Sequence, residues 1–170
     1  MKITKYFESL IEKQSTNFLR LAIFVIGLIV LAFCVFALPS MWKGGSAEFP
    51  EASTSVFLIM LGLYATAIPF YIGLWQGLRL LKLIDKNMAF SEVSINTLRN
   101  IKYCLATISV LYVGGVPWLL PIAELDDAPG LILMGMVIAC IPITITIFTG
   151  IVEKLLQNVV DIKSENDLTV

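Results

Sequence analysis

The residues that could do chemistry are few, and they sit at the edges of apolar blocks. In "ELDDAPG", residues 124–130, Glu124, Asp126 and Asp127 place three carboxylates within four positions, with Pro121 and Pro129 on either side. Clustered carboxylates suit a hard divalent cation. Calcium takes six to eight oxygens, more than this stretch supplies, so Glu48 and Glu51 of the other acidic stretch would have to join it. Helix-end physics offers a simpler account. Asp127 would cap the helix that follows, with Pro129 in the first turn, where a missing N–H costs nothing. Glu124 and Asp126 would then lie at the positive end of that helix dipole. The capping reading is preferred and no metal site is assigned.

Other reactive constellations are missing from the sequence. There is no histidine, the commonest general base and zinc ligand. Cys34, Cys104 and Cys140 all fall inside apolar blocks, where cysteine behaves as a small hydrophobe. No G-x-S-x-G, P-loop or H-E-x-x-H motif occurs. The polar groups within the blocks are hydroxyls, such as Thr66, Thr107, Ser109, Thr144, Thr146 and Thr149, which usually bond back to their own helix. No acid or base falls at the centre of a block, so no proton or ion path is marked. No catalytic residue and no cofactor are assigned, and the expectation is a protein that is not an enzyme.

The elements that position these residues are set by hydropathy. Of 170 residues, 58% belong to the AVILMFWYC set and only 15% are charged, against about a quarter in soluble domains. The stretches 21–42, 52–78, 103–123 and 128–152 contain no Asp, Glu, Lys or Arg. Each reaches the roughly 20 residues a helix needs to cross a bilayer. Without strict alternation, helices are the reading. The predicted fold is an all-α membrane protein: four transmembrane helices as two hairpins, with an N-terminal amphipathic helix and a C-terminal helical extension. The leader is 1–17, the membrane domain 18–163, with spans near 18–40, 55–78, 100–120 and 128–152, and the tail 164–170.

In the leader, Ile3, Tyr6, Phe7, Leu10 and Ile11 form one helical stripe. "QSTN", residues 14–17, should interrupt it and cap span one. The first block reads as an anchored span and not as a cleaved signal peptide: its leader carries Glu8 and Glu12, and its apolar run is too long. Residues 39–54 read as an exposed connection. Pro69 should kink span two. Gly73 and Gly77 fit either a close helix approach or chance, and chance is preferred. Ser91 is a good N-cap for the third helix, with Glu92 on its dipole and Phe90 and Ile95 as a staple. In the tail, Ile151, Leu155, Val159 and Ile162 form a stripe, and beyond Lys163 the chain should fray. The two halves share an outline, with Leu38-Pro39 and Leu120-Pro121 in similar places.

Sidedness follows from charge. Eleven of the twelve Lys and Arg residues lie in the leader, the middle connection and the tail, leaving only Lys43 for the other two connections. Lys- and Arg-rich short loops stay cytoplasmic. Both termini and the middle connection are therefore expected inside, and "ELDDAPG" outside.

The segments "LLKLIDKNMAFSE", "LRNIKY", "ELDDAPGLILMG" and "DIKSENDLTV" resemble bacterial membrane proteins of the domain of unknown function 2975 family. The similarity runs from span two to the end and is weakest in the leader. It implies a four-span inner-membrane protein without an assigned activity, and hints at a partner encoded nearby, a small cytoplasmic helix-turn-helix regulator.

Two functional classes follow. One is a regulatory or scaffold protein, as a single copy or a homo-oligomer, that holds a soluble cytoplasmic partner and does not itself bind nucleic acid. The alternative is a small oligomeric transporter or channel for an uncharged or apolar solute, motivated by the prolines in the spans and the hairpin pseudo-repeat. For the first, Glu165, Asn166, Asp167 and Leu168 are the candidate partner-binding residues. They would touch the partner or the basic connection carrying Arg79, Lys82 and Lys86.

Overall fold

The computed structural model describes residues 2–86 and 88–168, with side chains for 16–86 and 88–165. Among the described residues all regular structure is helical. The first helix, α1 (Lys2–Ala32), passes through a π turn (Phe33–Ala37) into α2 (Leu38–Glu48). A 3₁₀ turn (Pro50–Ala52) leads to α3 (Ser53–Asp85), and a short connection leads to α4 (Glu92–Gly115). A second 3₁₀ turn (Val116–Leu119) precedes α5 (Leu120–Leu125), and α6 (Gly130–Leu168) completes the order. Four of these stretches are long and apolar enough to cross a membrane.

The leader is not a separate element. Helix α1 runs unbroken through residues 14–17. Gln, Ser, Thr and Asn cost at most about 0.7 kcal/mol each inside a helix, and no Gly or Pro stands there to end it. The side chains of the leader's apolar stripe lie outside the described residues. Residues 39–54 also differ from expectation, because most of them are helical. Pro39 opens α2 directly after the π turn, so its missing N–H leaves a carbonyl of that turn to find another donor. The tail does not fray after Lys163, as α6 continues to Leu168.

Cross-helix contacts define antiparallel neighbours. Tyr64 of α3 reaches Cys34, and Tyr71 reaches Gly27 of α1. Cys104 of α4 lies opposite Gly73 of α3. Ser109 of α4 meets Thr146 of α6, and Arg99 meets Glu153. Packing is most extensive between α3 and α4 and between α4 and α6, and lighter between α1 and α3. The expected division into two hairpins is therefore not visible in the packing, since the middle two spans are as tightly joined as the last two.

Interfaces in lipid lack a hydrophobic driving force and rely on close contact and hydrogen bonds. The buried side chains accordingly form a thin seam, including Leu38, Val56, Met60, Ile95, Leu98 and Ile108. Large apolar groups such as Phe24, Phe36, Ile68, Trp75, Val110 and Phe148 face outward. Gly73 and Gly77 do not serve one close crossing. A methyl at Gly73 would touch α4, and one at Gly77 would touch Ile23 of α1, both at ordinary contact distance. All six hydroxyls named above bond back to a carbonyl three or four residues earlier.

Candidate functional site at the charged end of the helices

The end of the molecule where α1 begins and α6 ends carries all three described ion pairs. Its centre is Glu153 on α6. Arg99 and Lys102 lie three residues apart on α4, so they share a face. Arg99 donates through Nε to Oε1 of Glu153 at 2.8 Å, and Lys102 donates through Nζ to Oε2 at 2.5 Å. The Glu153 side chain keeps only 8% of its exposure, while Arg99 keeps 41%. A buried carboxylate needs partners, and breaking such a pair from one side leaves an uncompensated charge. Here each oxygen already accepts a charged hydrogen bond, so the carboxylate works as a clasp between helices and not as a free base. Lys102 also lies 5.6 Å from the centre of the Tyr103 ring, within cation–π range.

A second clasp joins the neighbouring pair of helices, where Arg20 of α1 donates to Asp85 at the end of α3. Between the clasps, the α3–α4 connection is tied by hydroxyls. Ser91 is the N-cap of α4 and accepts from the N–H of Ser94 at 3.3 Å. The Ser91 and Ser94 hydroxyls both donate to the carbonyl of Met88, at 2.7 and 2.8 Å. The N–H of Met88 returns to the carbonyl of Leu83. Ser94 and Thr97 are almost fully buried. Ile95 is buried as well, but Phe90 stays mostly exposed, so the expected staple is one-sided.

The other sequence candidates fall elsewhere. Arg79, Lys82 and Lys86 are exposed along the end of α3. Helix α6 packs on α4, and the structure does not bring its tail into extensive contact with those three residues. The side chains of Asn166, Asp167 and Leu168 lie outside the described residues, and Glu165 is exposed on α6. Asp127 does not cap α6. It takes a left-handed conformation, φ 48°, just past α5. The N–H of Ala128 bonds back to the carbonyl of Ala123, so Asp127 holds the αL position of a helix C-terminus. The residue that accepts in the first turn of α6 is Ala128, whose carbonyl takes the N–H of Leu131. Among the described residues no group of three or more Asp, Glu or Cys is arranged to hold a metal.

Away from the charged end, a cavity of about 190 Å³ lies between the π turn, α3 and α4. Val30, Leu38, Leu63, Phe70, Ile108 and Tyr112 are among its mostly apolar lining.

The family described as "Protein of unknown function (DUF2975)" matches residues 40–170. The chain belongs to this family. Its match takes in α3, α4 and α6, and with them Asp85, Arg99, Lys102 and Glu153. The chain is also 46% identical, over 159 residues, to the "Uncharacterized membrane protein YoaS" of Bacillus subtilis (strain 168), covering 94% of this chain and 99% of that protein. No solved structure matches.

Sequence reasoning missed both clasps. Arg20, Arg99 and Lys102 weighed only in the charge count that sets sidedness, and neither Asp85 nor Glu153 was singled out. The available signal was Glu153 itself, an acid set among apolar residues and followed directly by Lys154.

Proposed function

We propose that this is a non-enzymatic, multi-pass protein of the bacterial inner membrane, whose charged end faces the cytoplasm and holds a soluble protein partner in a regulatory or scaffold role. The supporting observation is the reach of α6. It continues for 15 residues past the clasped Glu153 as one helix to Leu168, about 22 Å at 1.5 Å per residue. A rigid rod leaving a braced helix end is a platform for a partner. The excess of Lys and Arg at this end supports a cytoplasmic position, by the positive-inside rule. The sequence resemblance makes a small helix-turn-helix regulator the first partner to test, with any nucleic-acid contact made by that partner.

Affinity capture from native membranes tests this reading. The full chain should carry a stoichiometric cytoplasmic protein, and a chain lacking residues 164–170 should insert normally but lose it. A truncated protein that keeps its partner removes the tail from the proposal. Cysteine labelling of intact cells tests the orientation: Ser46→Cys should react with an impermeant reagent and Ser164→Cys should not.

A second reading, passage of a small uncharged solute, is favoured by the apolar cavity beside the π turn. Flux of such a solute into proteoliposomes, reduced by filling the cavity with Ala67→Phe, would support it over the scaffold role.

A further inference from the structure

The outward face of α6 changes character along its length. In the first five turns it is apolar over a wide arc: Leu133, Val137, Ile141, Ile145 and Phe148 are all exposed, as contact with lipid requires. Heptad spacing carries each position forward by seven. Past Glu153, the row of Leu133 and Ile147 continues as Lys154 and Asp161, and the row of Val137 and Ile151 continues as Asn158 and Glu165. Half of the arc has turned polar. The other half has not. Val152, Leu155, Val159 and Ile162 follow one another at spacings of three, four and three. Leu155 is 60% and Ile162 61% exposed, although the helix has left the wide apolar zone. Val152, Leu155, Val159 and Ile162 keep the three–four spacing of a coiled-coil seam, with the apolar Ile151, Leu156 and Val160 flanking it.

Three surfaces could cover the seam. The bilayer cannot cover it at its full length: α6 has 39 residues in one unbroken helix, about 58 Å, against about 30 Å of hydrocarbon. Helix α1 packs on α3, while α6 packs on α4. A second copy fits on three counts. Two copies in one membrane run parallel, so the seam meets itself about a two-fold axis. Val at the first and third positions and Leu at the second is the β-branched and Leu alternation that favours two parallel strands. In that pairing each residue just before a Val faces the partner residue five positions further on. Ile151 then meets Leu156, and Asn158 meets Lys163, so no like charges oppose one another.

We infer that α6 forms a parallel two-stranded coiled coil with α6 of a second copy of this chain, along Val152, Leu155, Val159 and Ile162. The seam continues without a break into the apolar zone through Phe148 and Ile145, on the same unbroken helix. This inference does not depend on a cytoplasmic partner, and deleting residues 164–170 leaves the seam whole.

The test is disulfide trapping in native membranes. Cys34, Cys104 and Cys140 are replaced by Ala in the full chain, and single cysteines are introduced as Leu155→Cys, Ile162→Cys, Gln157→Cys or Ser164→Cys. On mild oxidation, the two seam positions should give covalent dimer at about ten times the yield of the two outer positions, because only seam residues come within bridging distance. Equal yields at all four, a maximum at Gln157→Cys, or no dimer from either seam position would overturn the inference. So would a cross-link from Leu155→Cys to a different protein. As a second measurement, Leu155→Glu with Ile162→Glu should halve the mass of the purified protein while leaving its helix content unchanged. A dimer that survives this pair of substitutions sinks the proposal.

Discussion

At the charged end, neighbouring helices are joined through ionised side chains: Arg20 to Asp85, and Arg99 with Lys102 to Glu153. At the opposite end a neutral side chain is tied to a backbone carbonyl. Two Leu-Pro steps each start a short helix there, and each is preceded by a turn that is not α-helical. Before Pro39 the helix widens into a π turn, and the N–H of Leu38 bonds to Phe33, five residues back. Before Pro121 the helix tightens, and the N–H of Leu120 bonds to Pro117, three residues back. The widened turn leaves the Cys34 carbonyl without a backbone donor, because Leu38 has passed it over and Pro39 has no N–H. The Tyr64 hydroxyl fills that vacancy at 3.0 Å. The difference teaches where each kind of tie is tolerable. Charges serve where their outer atoms still reach water, as the partial exposure of Arg99 and Lys102 allows. A freed carbonyl in lipid has no water to turn to and needs a neutral donor from a neighbouring helix.

Breaking the charged clasp should have the largest effect. The double variant Arg99→Ala with Lys102→Ala leaves Glu153 buried without a counter-charge, and should cost about 3–5 kcal/mol. The loss would be read as a lowered midpoint in denaturant titration of the protein in micelles. Adding Glu153→Leu should recover most of it, since an apolar replacement of a buried ion cluster is often neutral. If the double variant unfolds at the wild-type midpoint, the clasp is not a structural tie.

The neutral tie at the opposite end should be weaker. Tyr64→Phe strips the donor from the Cys34 carbonyl and should cost about 1–3 kcal/mol, the penalty of one acceptor left unpaired away from water. Hydrogen exchange should speed up at residues 33–38 and stay unchanged near Glu153. Acceleration at both ends would mean that the ends are not independent.

The smallest effect belongs to the cap. Ser91→Ala removes an N-cap acceptor and should cost about 1 kcal/mol. Ser94 still donates to Met88, so the connection keeps half of its hydroxyl tie. A loss as large as that of the clasp would show that residues 88–94 brace the whole charged end.

The long helices were legible in the sequence because uncharged blocks of that length have one common explanation. The cap at Ser91 was legible because it depends on neighbours in sequence. Glu153 with Arg99 and Lys102 was not, because a pairing across 51 and 54 residues is a property of how antiparallel helices register. Asp127 was misread for a related reason. An acid before a proline fits a helix start, and only the return of the Ala128 N–H to Ala123 places it at a helix end instead. The helical residues 39–48 were hidden by their glycines and serines, whose preference for loops is overridden here by packing of α2 on α3.

The π turn also fixes a phase. One residue taken up without advancing the α-helical register rotates all that follows by about 100°. Helix α2 is therefore indexed to α1 like a key cut a quarter-turn round its shaft, and that rotation points Leu38, at 1% exposure, inward. Deleting a single residue from 33–37 would let the hydrogen-bond ladder close as a continuous α-helix, and would swing the Trp42–Phe57 contact out of reach. In this stretch the residue count carries as much structural information as the residue types.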